Sequence, residues 1–203
     1  EINPDFIVID GAEGGTGAAP VEFSDHVGTP LRVGLNFAQN ALVGSGLREH
    51  VKLGASGKII SAFDIVRSMC LGADWCNSAR GFMFALGCIQ SQSCHTNKCP
   101  VGVATQDKHR QRALLVEDKA ERVTRFHQTT MEALIEIVAA SGLEHPSQLT
   151  PEHFFTRRDA QHITSFRDTL TWLSPGELLD GARDHPRFAA YWDMASAETF
   201  APS

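Results

Sequence analysis

No run of about 18 apolar residues occurs in the chain, so nothing in it reads as a membrane-spanning helix. Positive charge is also in short supply. Lys and Arg number 18 against 24 Asp and Glu, a formal net charge of −6. With no basic stripe to neutralise a run of phosphates, a general nucleic-acid or membrane-surface binder is excluded. The opening stretch Glu1-Ile2-Asn3-Pro4-Asp5 lacks the basic and apolar parts of a secretory signal, which leads to the expectation of a cytoplasmic protein. Cysteine is limited to five residues, and in that setting they suit metal or redox chemistry better than a disulfide framework. Internal repeats and low-complexity segments are missing. An initiator methionine is missing too, and the chain enters a buried-type strand almost at once, so it is expected to be part of a longer polypeptide.

What remains is an ordinary globular composition, 42% hydrophobic and 21% charged over 203 residues, enough for one sizeable core. Its sharpest feature is the stretch Gly87 to Gly102. Cys88, Cys94 and Cys99 follow a C-x5-C-x4-C spacing closed by Cys99-Pro100 on a polar loop. Thiolates that converge from such a loop can hold an iron–sulfur cluster, with Gln90, Gln92, His95 and Asn97 available to hydrogen bond around the sulfurs. Two other readings of the same residues stand beside it. One is three unrelated thiols, because free cysteine is often a small buried hydrophobe. The other is a Cys3His zinc site made with His95, although the gaps of five and four are wider than zinc ligand pairs usually use.

Upstream, Asp5 to Asp10 is a continuous apolar run bounded by turn residues, the pattern of a parallel strand covered on both faces. It ends in the glycine-rich Gly11 to Pro20, where the backbone can approach a flavin or a phosphate closely. Leu31 to Leu47 has helical spacing, with Thr29 and Pro30 as cap and first-turn residue. A second strand is expected at His50 to Ala55, running into Ser56-Gly57-Lys58, then a helix from Ala62 to Leu71 opened by Ser61 and Asp64 and stopped by Gly72. A third, very short strand with its exit loop is expected within Asp74 to Gly81. This βαβαβ order predicts parallel strands whose exit loops share one edge, the edge that is catalytic in a (β/α)8 barrel. Beyond residue 107 the composition changes. Lys108 to Arg112 is basic, and Asp118 to Ser141 reads as a packing helix with Ala120, Val123, Phe126, Thr130, Leu134, Ile137 and Val138 on its apolar face, stopped by Gly142. Short helices are expected at Pro151 to Phe155 and Pro175 to Ala182, with an irregular tail from Arg183.

The ordered motifs Asp10 to Pro20, Gly28-Thr29-Pro30, Leu71 to Asp74 and Gly87 to Asp107 together resemble the flavin domain of glutamate synthase and of the shorter glutamate synthase-related FMN proteins. The resemblance covers roughly residues 5 to 107, with a continuation to about Leu179. It implies an α/β fold: the C-terminal portion of a (β/α)8 TIM barrel, contributing its last three parallel strands, in residues 1–107, and a mainly helical extension in residues 108–203. It also implies FMN at the carboxyl face and a [3Fe-4S] cluster beside it. Carried over residue by residue, Cys88, Cys94 and Cys99 are the cluster thiolates. Gly14, Gly15, Thr16 and Gly17 lie against the flavin, and Ser56, Gly57 and Lys58 with Ser78, Ala79 and Arg80 surround its phosphate.

The implied activity is an oxidoreductase that reduces 2-iminoglutarate, formed from 2-oxoglutarate and ammonia or glutamine-derived ammonia, to glutamate. Electrons would come from ferredoxin or an NAD(P)H-linked subunit. This chain departs from the larger synthases at Ser56-Gly57, where they tend to have Asp-Gly, and at Arg80, where they tend to have threonine, so the phosphate contacts are expected to differ in detail. Arg80 reads either as a bidentate phosphate partner or as half of a surface ion pair. Three strands cannot close an eight-stranded barrel. An oligomer, or an upstream half carrying the 2-oxoglutarate contacts and the catalytic carboxylate, is therefore expected, and no catalytic acid or base is assigned within these residues. His95 reads as a hydrogen-bonding group of the cysteine loop. The remaining alternative is a non-catalytic assembly module derived from the barrel.

Overall fold

The computed structural model describes residues 4–14, 19–20, 22–23, 26–196 and 198–199. Strands β1 (Phe6–Asp10), β2 (Lys52–Ser56) and β3 (Trp75–Asn77) form one parallel sheet in that order, joined by helices α1 (Leu31–Gly44) and α2 (Ala62–Cys70). The first half of the chain is thus the βαβαβ unit that its periodicity predicts. Helix α2 starts where expected because Ser61 and Asp64 close a reciprocal cap, and it stops at Gly72, whose φ of +106° favours glycine. The cap of α1 differs from expectation. Thr29 contributes no cap; the N–H of Leu31 donates instead to Glu13 Oε2 at 2.8 Å, so a carboxylate of the glycine loop satisfies the helix start and favours its positive end.

Helices cover one face of the sheet only. Leu31, Leu35, Leu53, Ala55, Ile59, Val66, Cys70 and Leu71 form a closed core there, with Ile7 and Ile9 packed against it. On the other face Phe6 and Val8 stand 58% and 39% exposed, and Phe6 meets Trp75 edge-to-face at 5.5 Å. The indole lies across Gly54, where an added Cβ would come within 2.7 Å of its ring. The expectation of a first strand covered on both faces is therefore corrected: nothing among the described residues forms a second layer over this face.

Helix α3 (Arg80–Leu86) follows β3 directly, and the one-turn α4 (Lys108–Gln111) follows the cysteine loop. Helix α5 (Val116–Ala140) runs over α2 and α3, beginning two residues before the expected start and ending ahead of Gly142. Leu134 and Val138 are buried on its inner face, and Val123, Phe126, Thr130 and Ile137 are half-buried; Ala120, expected on that face, is exposed. Where α5 crosses α3, Phe126 sits so near Gly81 that an added Cβ would lie 2.7 Å from the ring, and Phe82 packs edge-on against it at 5.2 Å. This contact holds α3, and hence the entry to the cysteine loop, against the body of the protein.

The remainder is more ordered than its sequence suggests. A single helical turn at Pro151–His153 replaces the expected short helix. It leads into an antiparallel pair, β4 (Phe155–Arg157) and β5 (Ile163–Ser165), then α6 (Phe166–Thr169), α7 (Glu177–Gly181) and α8 (Ala189–Met194). Two asparagines of α1, 2% and 1% exposed, tether this tail. Asn36 and Asn40 both donate to the Thr171 carbonyl, Leu173 N–H donates to Asn40 Oδ1 at 2.7 Å, and Arg187 donates to Asn36 Oδ1 at 2.8 Å. The main core takes Leu134, Val138, Leu149, Phe154 and Phe166 from beyond residue 107 together with the side chains of the sheet and its helices. No helix among the described residues is long and apolar enough to cross a membrane.

Candidate functional site

Strand register decides which loops can meet. Asp10 pairs with Ser56 and Ser56 with Asn77, so the three strands end in one row and their exit loops leave from one edge. The first two loops touch through glycine backbone. Gly11 N–H donates to the Ser56 carbonyl at 2.8 Å, and a Cβ added at Gly14 would lie 2.6 Å from Asp10 Oδ1 and 3.2 Å from Gly57 Cα. Gly57 itself has φ +133° and faces the Gly11 amide, so a side chain at Gly14 or Gly57 would push the loops apart, and one at Gly11 would strike Leu31 at the start of α1. Gly15, Thr16 and Gly17, the other expected flavin contacts, lie outside the described residues.

The third loop is stapled to the second by Ser78, whose hydroxyl donates to the Ile59 carbonyl at 2.7 Å. Ser78 is thus engaged in holding two loops together. Ala79 precedes α3 without offering a side-chain cap, which leaves the first-turn N–H groups of α3 without a side-chain acceptor. Arg80 opens that helix half-buried, with no ion partner among the described residues, so the surface-ion-pair reading of Arg80 finds no partner there.

The cysteine loop starts from a pinned position. Gly87 closes α3 at φ +106°, and the Cys88 N–H donates to the Met83 carbonyl at 3.0 Å. Cys94 begins a short 3-10 turn, Cys94–Thr96. The loop is then locked by a knot that sequence reasoning did not anticipate. The Thr105 hydroxyl lies 2.6 Å from the Asn97 carbonyl, Gln106 N–H donates to Asn97 Oδ1 at 2.6 Å, and the Gln111 side chain donates to the Thr105 carbonyl at 2.6 Å. Asn97 therefore staples the loop, where the sequence suggested a partner for sulfur. Gln90, Gln92 and His95 are exposed.

Cys99 differs from the other thiols. It is 3% exposed. Burial alone would raise its thiol, but backbone N–H groups of Ala104, Val101, Val103 and Gly102 aimed at the sulfur outweigh that and hold it below the ordinary value. Cys70, in the core, is pushed up to about 12 by burial. Cys76 is pushed up to about 11, chiefly by burial, with Asp64 adding to the rise and a Ser68 hydrogen bond opposing it. These two are inert thiols, whereas Cys99 sits in a bed of amides suited to an anionic sulfur.

Among the described residues no group of three or more His, Cys, Asp and Glu is gathered as a single metal ion would require. That gives the Cys88, Cys94, Cys99 and His95 zinc reading no support in geometry. A cluster makes a different demand, because each thiolate binds its own iron and the sulfurs stand farther apart. The donors fit such a group in kind: three thiols on one loop, one of them already bedded in amides.

Backbone strain marks the same places. Among the described residues four non-glycine residues have positive φ: Lys58, Gln90, Gln92 and Asn97. Each such conformation costs of order 1–3 kcal/mol and persists only where surroundings impose it, characteristically at binding sites. One lies in the loop after β2 and three in the cysteine loop.

A model of the conserved region in glutamate synthase matches residues 1–144. The glutamate synthase large subunit-like protein YerD of Bacillus subtilis (strain 168) is 45% identical over 168 residues, 83% of this chain and 32% of that protein. Ferredoxin-dependent glutamate synthase 2, chloroplastic, of Arabidopsis thaliana is 44% identical over 104 residues, 51% of this chain and 6% of its own length. The glutamate synthase [NADPH] large chain of Bacillus subtilis (strain 168) is 34% identical over 160 residues, 79% of this chain and 10% of its own length. The chain thus spans about a third of the length of YerD and a tenth or less of the other two.

Proposed function

Because the chain belongs to the glutamate synthase family, we propose that it supplies the loop edge of an FMN-binding (β/α)8 barrel and a three-thiolate [3Fe-4S] loop to an oxidoreductase that makes glutamate. The observation that carries this reading is the row Asp10, Ser56, Asn77, which sends three loops from one edge; the second of them holds Lys58 at positive φ, and the cysteine loop, joined to the third by α3, holds the other three non-glycine residues described with positive φ.

The open sheet face supports the barrel part. A parallel sheet is ordinarily covered on both faces, and here one face carries exposed Phe6, Val8 and part of Trp75. Side chains of further strands, supplied upstream in a longer polypeptide, would fill that space as a barrel interior. For the flavin, Gly14 and Gly57 let the first two loops meet closely at the shared edge, and Gly14, together with Gly15, Thr16 and Gly17, which lie outside the described residues, would lie against the ring. Ser56, Gly57, Lys58, Ser78, Ala79 and Arg80 would hold the phosphate. The uncapped first turn of α3 offers amides, and Arg80 a guanidinium without an ion partner among the described residues. Cys88, Cys94 and Cys99 would hold the cluster, with the amides of residues 101–104 stabilising the Cys99 thiolate.

When bound, FMN supplies hydride chemistry toward the imine of 2-oxoglutarate and ammonia, and the cluster supplies one-electron exchange with a donor. This chain's residues position, desolvate and shield. The acid or base that moves a proton to substrate belongs to the segment that completes the barrel. Anaerobic incubation of the full-length protein with reductant, 2-oxoglutarate and ammonia should yield glutamate; its absence in a protein that carries flavin would refute the assigned substrate.

A further inference from the structure

Helix α1 is gripped by two parts of the chain that lie far apart in sequence. Its first turn is locked to the first exit loop. A Cβ added at Gly11 would strike Leu31, Ala12 N–H donates to the Thr29 carbonyl at 2.9 Å, and Leu31 N–H donates to Glu13 Oε2 at 2.8 Å. Three successive loop residues, 11 to 13, therefore take their places from the start of α1. The tail grips the rest of the helix. Asn40 donates to the Thr171 carbonyl at 2.9 Å and accepts Leu173 N–H at 2.7 Å, and Asn36 Oδ1 accepts from Arg187 at 2.8 Å. Gly176 N–H donates to the Val43 carbonyl at 3.0 Å, and Phe37 stacks on Phe188 with ring centroids 4.8 Å apart. The Arg32 guanidinium, next to Leu31, stands 5.4 Å from the centre of the Phe166 ring, so the tail also reaches the first turn.

The two asparagines have no role that α1 itself requires. Asparagine is a weak helix former, and a buried amide costs free energy unless its hydrogen bonds are made. Apart from the bond from Asn40 back to the Asn36 carbonyl, the bonds of these two side chains are made by residues 171, 173 and 187. A tail seated one residue out of register would bury the same amides unpaired. The pair thus selects one seating of the tail on α1, which is what a fully satisfied buried polar network does. We propose that Asn36 and Asn40 are positioning residues for the flavin: through α1 they transmit the seating of residues 166–188 to the loop at Gly11 to Gly14. This rests on the reading that the loop meets FMN, and adds the part of the chain that holds it in place. A helix is a stiff link between its two contacts, and the coupling it carries is reciprocal: a tail that steadies the loop is itself steadied when FMN lies on the loop.

The test uses the full-length protein, with hydrogen exchange read at the Ala12, Leu173 and Gly176 amides and FMN affinity read by fluorescence titration at 25 °C. In the wild type, FMN should slow exchange at Leu173 and Gly176 about threefold or more. Asn40→Ala should weaken FMN binding about tenfold and speed Ala12 exchange in the FMN-free protein. Alanine is the better helix former, so weakening of α1 itself does not account for such a loss. Arg187→Ala, a milder change that leaves the bonds to residues 171 and 173 in place, should act in the same direction by about threefold. Val138→Ala, in the main core under α5, should lower Tm and leave FMN affinity unchanged. Exchange at Leu173 and Gly176 that ignores FMN would overturn the proposal. So would wild-type FMN affinity in both tail variants, or equal weakening by Val138→Ala, which marks a general loss of stability. If Asn40→Ala fails to fold, the wild-type exchange and Arg187→Ala decide. A wild-type protein that binds no FMN sinks the flavin reading; Ala12 exchange in the FMN-free variants, faster or unchanged, still supports or refutes the coupling of tail to loop.

Discussion

Removing the Thr105 hydroxyl tests whether the Asn97–Thr105 knot is what holds the cysteine loop. Thr105 is 9% exposed, and its hydroxyl donates toward Asn97, 2.6 Å from the carbonyl oxygen and 3.0 Å from Oδ1, while accepting the Asp107 N–H at 3.1 Å. Thr105→Val keeps the shape and deletes the donated bond shared between the two Asn97 oxygens and the bond accepted from Asp107. Each is worth about 0.5–1.5 kcal/mol net. Asn97 and Asp107 are exposed and can recover water, so the low end applies and the loop should lose about 1–2 kcal/mol. Asn97→Gly tolerates the φ of +63° but deletes the side-chain oxygen that accepts Gln106 N–H, with a loss of similar size. The two sites share a contact, so the double variant should fall short of the sum by about 0.5–1 kcal/mol. Native-state hydrogen exchange of amides 98–106 in the full-length protein measures the opening free energy of this loop. Strict additivity, or amides that are unprotected in the wild type, would refute the knot as the organising element.

Gly81→Val should lower Tm sharply, because an added Cβ meets Phe126 at 2.7 Å and overpacking of this kind costs about 1–3 kcal/mol; calorimetry of the full-length variant checks it. Arg80→Ala should weaken FMN binding about tenfold, the loss of one charge-assisted contact, as read by fluorescence titration; unchanged affinity would remove Arg80 from the phosphate site. Alkylation of cofactor-free protein at pH 8, mapped by mass spectrometry, should spare Cys70 and Cys76, whose thiols are pushed up to about 12 and about 11, while Cys88 and Cys94, half-buried in the loop, react. The same raised values fix a sign for stability. The unfolded chain loses these protons above the ordinary value of 9.0 while the folded chain keeps them, so their contribution is complete below pH 9 and is lost as pH climbs toward 11 and 12. Replacing Cys70 by Ala should flatten that alkaline fall.

How much of this was legible in advance follows the range of the forces involved. β1, α1, β2, α2 and β3 are written in local periodicity and in glycine stops, and they fell within a few residues of expectation. The row Asp10, Ser56, Asn77 follows from βαβ connections without any long-range information. What escaped depends on partners far along the chain. Glu13 caps a helix that begins 18 residues later. Asn36 and Asn40 look like solvated positions of an amphipathic helix, yet they are buried because Thr171 and Leu173 bring backbone groups to them. The three-residue strands β4 and β5 are too short to show alternation. In the cysteine loop the thiols were visible from spacing, whereas Thr105 and the amides over Cys99 were not, since neither carries a local pattern. The uncovered sheet face was misread because an apolar run alone does not tell which side a second layer occupies.

The central claim is that one edge of this fold serves both a flavin and a three-thiolate cluster, and metal and flavin analysis of the anaerobically purified full-length protein tests it most directly. The account predicts FMN with about three irons per flavin and broad visible absorption from the cluster. In Cys94→Ser the iron should be lost while the flavin remains, because a three-thiolate loop has no spare ligand. A colourless wild-type protein holding stoichiometric zinc, or a Cys94→Ser variant that retains its iron and its spectrum, would contradict it.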